Sequence, residues 1–393
     1  MAKRHSAGPD LLSQIRRCQE LISARSGVDE FYELVRLLLA KALFEKRGGN
    51  DVLDFQRAQD VLTLDSKIVE RFVEGGAVLS APAEVINECL RILAPTSVSK
   101  AEYETLDVAF EGMTARLYKS EKGQYFTPRH VVDFCINVLR PHPGETICDP
   151  ACGSAAFLQS ANRIVGKKSV ESSIYGFDIS RRAAKTAELM SFLACNDSLS
   201  IHQLDSLSLG GEQLLGLEGA TIEDTLRLAG RPFVGFDVIA TNPPFAGDVS
   251  TSDYAQAYEV ARFGGPRIER DALFIERCVR LLRPGGRLAI VLPDNKISAT
   301  KFGPLRKWIG SVVNIVAVVS LHGYTFRPHT SQKAAILFAI KPRVGRKVSA
   351  APIVFYRSDK PGKTSAGVNV LRDDVIDHDL DGIERDLVSE WRI

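Results

Sequence analysis

Between residues 145 and 340 short aliphatic runs alternate with helical stretches, and this alternation narrows the possible folds more than any other feature. ETICDP (145-150), SIYGFDI (173-179), LSIHQL (199-204), FDVIA (236-240) and RLAIVLP (287-293) read as strands. Helical patterns at 155-165, 180-195, roughly 221-229 and 268-283 separate them. Strands divided by helices form a parallel sheet covered on both faces. Two more strands, VVNIVAVVSL (312-321) and KAAILFAI (333-340), have a connection too short for a crossover helix, so they pair antiparallel. The expected fold is α/β: a doubly wound, mostly parallel, seven-stranded Rossmann-like sheet with a reversed last strand. Ligands of such sheets sit at the carboxyl ends of the strands.

Upstream the rhythm is helical only. DEFYELVRLLLAKALFEK (29-46) carries apolar residues at helical spacing, with Asp29 or Ser26 as cap, and similar stretches run near 10-24, 55-74, 82-93 and 101-117. The expected organisation is an all-helical N-terminal domain (1-118), the sheet domain (119-345) and a C-terminal extension (346-393). Net charge is only +2, so any polyanion binding must come from local basic surface or a partner. The seven cysteines form no CxxC pair and no zinc-like cluster, which fits reduced, buried thiols and no bound metal. No signal peptide or membrane-spanning run is visible, and the expected location is the cytoplasm.

The first strand runs into DPACGSAAFL (149-158), where Asp149, Ala151 and Gly153 form a compact turn that lets a ligand approach backbone amides. Such a turn alone needs no ligand. The second strand, however, ends in Asp178, followed by Ile179, where a carboxylate can accept from ribose hydroxyls. The third ends in Asp205 and Ser206, with Asp205 suited either to an adenine amino group or to capping the next helix. Three consecutive strands ending in carboxylates favour a nucleoside pocket. No GxGxxG is present, and Asp149 would repel a pyrophosphate. An acid there suits a zwitterion such as the amino-acid end of S-adenosylmethionine.

The fourth strand ends in TNPPF (241-245), and prolines cannot continue a sheet ladder. An exocyclic amine on a purine is a poor nucleophile because its lone pair is delocalised. Two acceptors on its hydrogens, the Asn242 side-chain oxygen and the Pro243 carbonyl, would favour the pyramidal form and aim it at a sulfonium methyl. Pro243 and Pro244 stiffen the turn, and Phe245 offers a face on which a base can stack.

DPACGSAAFL, GFDIS, TNPPF and, before all three, GQYFTPRHVV (123-132) together resemble the motifs of DNA adenine N6-methyltransferases, above all the modification (M) subunits of type I restriction-modification systems. The likeness covers about 105-340. It implies a methyltransferase sheet with S-adenosylmethionine as cofactor. Gln124, Tyr125, Phe126, Thr127 and Pro128 would line its methionine end, and Asp271 to Phe274 would lie near its adenine. It also implies double-stranded DNA as substrate, base flipping, a DNA-specificity subunit and a restriction subunit as partners. Two departures stand out. Where the family has a second glycine this chain has Ala155, followed by Ala156; if that position needs positive φ or close backbone contact, alanine would weaken cofactor affinity, and it is expected to be tolerated. The chain also ends soon after APIVFYR (351-357), short of the family's helical docking tail.

Candidate phosphate contacts are ARFGGPRIER (261-270), Lys296, Lys301 through Arg306 and Lys307, and KPRVGRK (341-347), each of which could equally be a solvated face. The segment 246-267 reads as a loop able to close over a flipped base, and FRPHTSQ (326-332) is placed to contact it. Methylation of an RNA guanine or of a protein glutamine amide poses the same chemical problem. A cofactor-binding scaffold without transfer is a further alternative.

Overall fold

The run DEFYELVRLLLAKALFEK folds as the helix Glu30–Lys46, started by Asp29, whose carboxylate accepts from the Phe31 and Tyr32 amides at 3.0 and 3.3 Å. The computed structural model describes residues 10–103, 105–110, 126–166, 174–194, 199–209, 221–228, 233–245, 247–250, 254, 257–263, 265–349, 351–373 and 375–390. The chain divides into two compact units, one of residues 1–119 with 185–197 and one of 120–184 with 198–393.

The first unit is helical: Leu11–Arg25, Glu30–Lys46, Phe55–Leu64, Ser66–Phe72 and Ala83–Leu93 enclose a core that also takes in Leu189, Met190 and Leu193. The predicted single helix over 55-74 is broken at Asp65, which caps the end of one helix and opens the next.

The second unit is built on an eight-stranded sheet. In chain order its strands are β1 (Ile147–Asp149), β2 (Ile174–Asp178), β3 (Leu199–Gln203), β4 (Phe236–Thr241), β7 (Leu282–Pro293), β8 (Asn314–Ser320), β9 (Ala334–Ile340) and β10 (Val354–Arg357). A separate antiparallel ribbon pairs β5 (Asp248–Ser250) with β6 (Arg267–Glu269). Across the sheet the order is β10-β8-β9-β7-β4-β1-β2-β3, and β9 alone runs against its neighbours. These are the seven strands expected in the sheet plus β10, the strand read at APIVFYR, which joins the sheet by pairing in parallel with β8.

Alternation along β7 shows how the sheet is covered. Leu288, Ile290 and Leu292 join a core with Leu273 and Cys278 of the helix Arg270–Leu281 and Trp308 of the helix Gly303–Val312. On the opposite face, Phe338 of β9 meets Phe134 of the helix Arg129–Leu139, ring centroids 5.7 Å apart. A Cβ at Gly176 in β2 would stand 2.7 Å from the Cδ1 atoms of both Leu158 and Ile201, so those side-chain ends would have to shift to admit it. Its absence lets the helix Ala156–Val165 and the turn before it close onto the strand.

The segment 246-267, read above as a loop, is corrected by the structure among its described residues; 246, 251–253, 255–256 and 264 lie outside them. Its ends form the β5–β6 ribbon, and Tyr254, Tyr258, Val260 and Ala261 are buried in the sheet's core. The Tyr258 hydroxyl donates to the Leu207 carbonyl at 2.6 Å, and the Val260 amide donates to Glu276 at 2.9 Å. Aromatic burial outweighs the loop-like composition. Among the described residues no helix is long and apolar enough to cross a membrane.

Candidate active site

β1 and β4 are parallel neighbours, with Ile147 opposite Val238 and Cys148 opposite Ile239. Asp149 and Asn242 therefore leave the sheet on adjacent strands, where the strand order changes direction. Pairing of Asp149 with Gly176 and of Asp178 with Gln203 carries the same edge outward to Asp178 and Asp205. All three carboxylates are buried, Asp149 at 1% exposure.

The turn after β1 is closed by its own amides. Ala151 donates to Asp149 Oδ1 and Gly153 to Asp178 Oδ2, both at 3.0 Å, while the Ala155 amide donates to the Cys152 carbonyl at 2.7 Å. Gly153 and Ala155 both take positive φ, 51° and 69°. The backbone thus adopts the conformation a second glycine would serve, with alanine in place, and the Ala155 side chain is wholly buried. Burial pushes the Asp149 carboxyl up to about 7, with Asp178 adding to the rise and the Thr241 hydroxyl and Ala151 amide opposing it.

At the third strand Asp205 accepts from the Leu207 amide at 3.0 Å, and burial raises its carboxyl above the ordinary range. The Ser206 hydroxyl donates to the Pro150 carbonyl at 2.6 Å, tying this turn to the one after β1. Behind it, buried Arg277 donates to the Ser206 carbonyl and grips both oxygens of Glu223 at 2.7 Å. Sequence reading missed this clamp. Its signal was a charge at apolar spacing, Leu273, Arg277 and Leu281 sharing one face of a helix. Ile179, beside Asp178, is 40% exposed, unusual for isoleucine at a strand end and consistent with an apolar ligand surface.

Asn242 is the decisive residue. Its Nδ2 donates to Thr127 Oγ1 at 2.9 Å, while its Oδ1 is buried and has no hydrogen-bond partner. Thr127, expected at the cofactor, thus brings its hydroxyl to the turn after β4. The two lie 115 residues apart, so no sequence spacing announces the contact. Pro243 is buried and Pro244 partly so. Phe245 is only 5% exposed and lies against Phe326, centroids 5.9 Å apart, so it is a wall of the site and not the open platform expected. Phe326, from the loop between β8 and β9, shares that wall. Phe126 is half-buried; Gln124 and Tyr125 lie outside the described residues.

The basic patches separate on inspection. Lys296 is corrected: it is buried, 2.6 Å from Glu269 and 2.9 Å from Asp271, and unavailable to phosphate. Lys301 pairs with Glu269 at 3.0 Å, and Lys341 donates to the Val279 and Leu282 carbonyls. Arg262, Lys307, Arg343, Arg346 and Lys347 are exposed.

A family model described as N-6 DNA Methylase matches residues 103–386. The chain belongs to that family. Among its curated relatives are the methylase subunits of the type I restriction enzymes StySPI of Salmonella potsdam and EcoKI of Escherichia coli K12. Each is 33% identical over 199 residues, covering 47% of this chain and 35% of the relative. The matched part is therefore about a third of those proteins' length. In fold the chain is similar to a type I restriction-modification system methyltransferase subunit from Streptococcus thermophilus. The TM-score is 0.67 at 16% identity, covering 98% of this chain and 93% of that one. It is also similar to a chain described as a class I S-adenosylmethionine-dependent methyltransferase from Listeria monocytogenes, TM-score 0.61 at 16% identity and 98% coverage of both. The fold is thus the class I methyltransferase fold.

Proposed function

We propose that this chain transfers a methyl group from S-adenosylmethionine to the N6 amino group of adenine in DNA, as the modification subunit of a restriction-modification system. The observation that carries the reading is the buried, partnerless Asn242 Oδ1. An acceptor left without a donor costs about 1–3 kcal/mol, and an incoming amino group removes that cost. The donors and acceptors at the strand ends suit the cofactor. The ionised Asp149 would hold its ammonium, Asp178 its ribose hydroxyls and Asp205 its adenine amino group, with Ala151, Gly153 and Ser206 shaping the turns and Ile179 covering the base. Phe126 and the neighbouring Gln124 and Tyr125 would line the methionine end.

When bound, S-adenosylmethionine supplies an electrophilic sulfonium methyl. The chain's own part is to hold the nucleophile. Asn242 Oδ1 and the Pro243 carbonyl accept the two N6 hydrogens and localise the nitrogen lone pair, and Pro244 keeps that pair of acceptors rigid. The proton leaves after methyl transfer, so no strong base is required. The Phe245–Phe326 wall bounds the space for a flipped base. Catalysis is assigned to the sheet domain, and the helical domain 1-118 takes no chemical part. DNA contact by the exposed arginines and lysines and target choice by a specificity subunit complete the reading. The named type I methylase subunits among the relatives support such a partner.

The test is transfer of labelled methyl to duplex DNA, with and without co-encoded partners, followed by nucleoside analysis. Label in N6-methyladenine supports the reading. Label in RNA guanine or protein glutamine would replace it, and cofactor binding with no transfer to any substrate would mark a scaffold.

A further inference from the structure

Resting on that reading, we propose that Thr127 is a positioning residue for the reaction: its hydroxyl bonds the Asn242 amide and holds that side chain in the orientation that leaves Oδ1 for the substrate. The two ends of an asparagine amide have nearly the same shape and opposite hydrogen-bonding character. Turned one way, Asn242 offers an acceptor to the N6 hydrogens. Turned the other way, it offers donors to a group that has only hydrogens to give, and the cradle fails. Thr127 Oγ1 accepts from Asn242 Nδ2 at 2.9 Å, which leaves Oδ1 as the end without a partner. The next residue is Pro128, which has no amide N–H to compete for the Asn242 oxygen. Pro128 also opens the helix Arg129–Leu139, so the hydroxyl stands on a rigid shoulder. The segment before that helix then does more than line a cofactor. It holds the Asn242 amide in place before any substrate arrives, as preorganised catalysis requires.

A neutral hydrogen bond of this kind biases the amide by about three- to tenfold. Thr127→Val keeps the shape and removes the hydroxyl; Thr127→Ser keeps the hydroxyl. In the full chain, with any co-purified partners, Thr127→Val is expected to lower kcat about three- to tenfold. KM for DNA and calorimetric affinity for S-adenosylmethionine should stay within about twofold, and Thr127→Ser should restore kcat. Side-chain amide NMR gives a readout free of activity. The Asn242 Nδ2 resonances, identified by their loss in Asn242→Asp, should shift in Thr127→Val and return in Thr127→Ser. Unshifted resonances, an unchanged kcat, or a loss confined to cofactor affinity would each overturn the inference. If the wild-type chain transfers no methyl group, the functional reading falls and takes the inference with it. Wild-type transfer with an unaffected Thr127→Val variant sinks the inference alone.

Discussion

Ala155 holds φ at 69° in the turn after β1, a conformation that costs an alanine about 1–2 kcal/mol. Glycine there would relieve that strain. It would also free the unfolded chain, at about 0.4–1 kcal/mol, and lose a buried methyl worth about 0.8 kcal/mol. These terms nearly cancel, and the methyl points into the core. Ala155→Gly should therefore change stability by less than about 1 kcal/mol and cofactor affinity by less than about threefold; a tenfold tightening in calorimetry would show that the methyl obstructs the ligand. Asp149 yields a second expectation. With its carboxyl at about 7, cofactor affinity should fall about tenfold per pH unit below 7 and level off above it. The stability linkage has the opposite sign. The folded carboxyl titrates above its unfolded value, so stability falls as pH rises from about 4 to about 7. Asp149→Asn should abolish both trends, as calorimetry and denaturation across pH would show. The strand-end carboxylates and Asn242 were legible because each stands at the carboxyl end of a run of strand residues. The Thr127 contact and the covered face of Phe245 were not, because side chains distant in sequence create them.

At the level of elements, the clamp of Arg277 on Glu223 and the Ser206 carbonyl joins the helix Arg270–Leu281, the helix Ile222–Leu228 and the turn after β3. Arg277→Ala leaves a carboxylate and a buried carbonyl without their donor and should destabilise the chain by about 3 kcal/mol in denaturant titration. It should also weaken cofactor binding, since Asp205 shares the turn. The alternation of strands and helices was readable because parallel strands buried on both faces are continuous apolar runs. Where glycine and proline punctuate a helix, as in GPLRKWIGSV, the signal faded, and the helix Gly303–Val312 went unread. The β5–β6 ribbon escaped for another reason. Its strands span three residues each, too short to show an alternation, and Tyr254 and Tyr258 between them in sequence are buried in the sheet's core.

For the whole molecule, the C-terminal extension is part of the sheet unit. β10 pairs with β8 from Val354 opposite Ala317 to Arg357 opposite Ser320, and the helix Leu380–Glu390 buries Leu380 and Leu387. His378 stacks on His130 at 4.9 Å, and Glu384 accepts from Asn137 at 3.0 Å. Burial and the neighbouring His378 push the His130 imidazole down to about 3, so His130 stays neutral at physiological pH. The two leucines alone bury about 3–6 kcal/mol of transfer free energy, comparable with the net stability of many domains. A chain cut after residue 345 should therefore fail to give a cooperative thermal transition. A sharp transition near the intact chain's Tm would show that the extension is dispensable. The central claim concerns one atom of the whole, the Asn242 oxygen, and is tested most directly by comparing Asn242→Ala with the wild type in methyl transfer to adenine at saturating cofactor. The account predicts a fall in kcat of at least about a hundredfold with calorimetric cofactor affinity within about threefold; transfer at wild-type rate would contradict it.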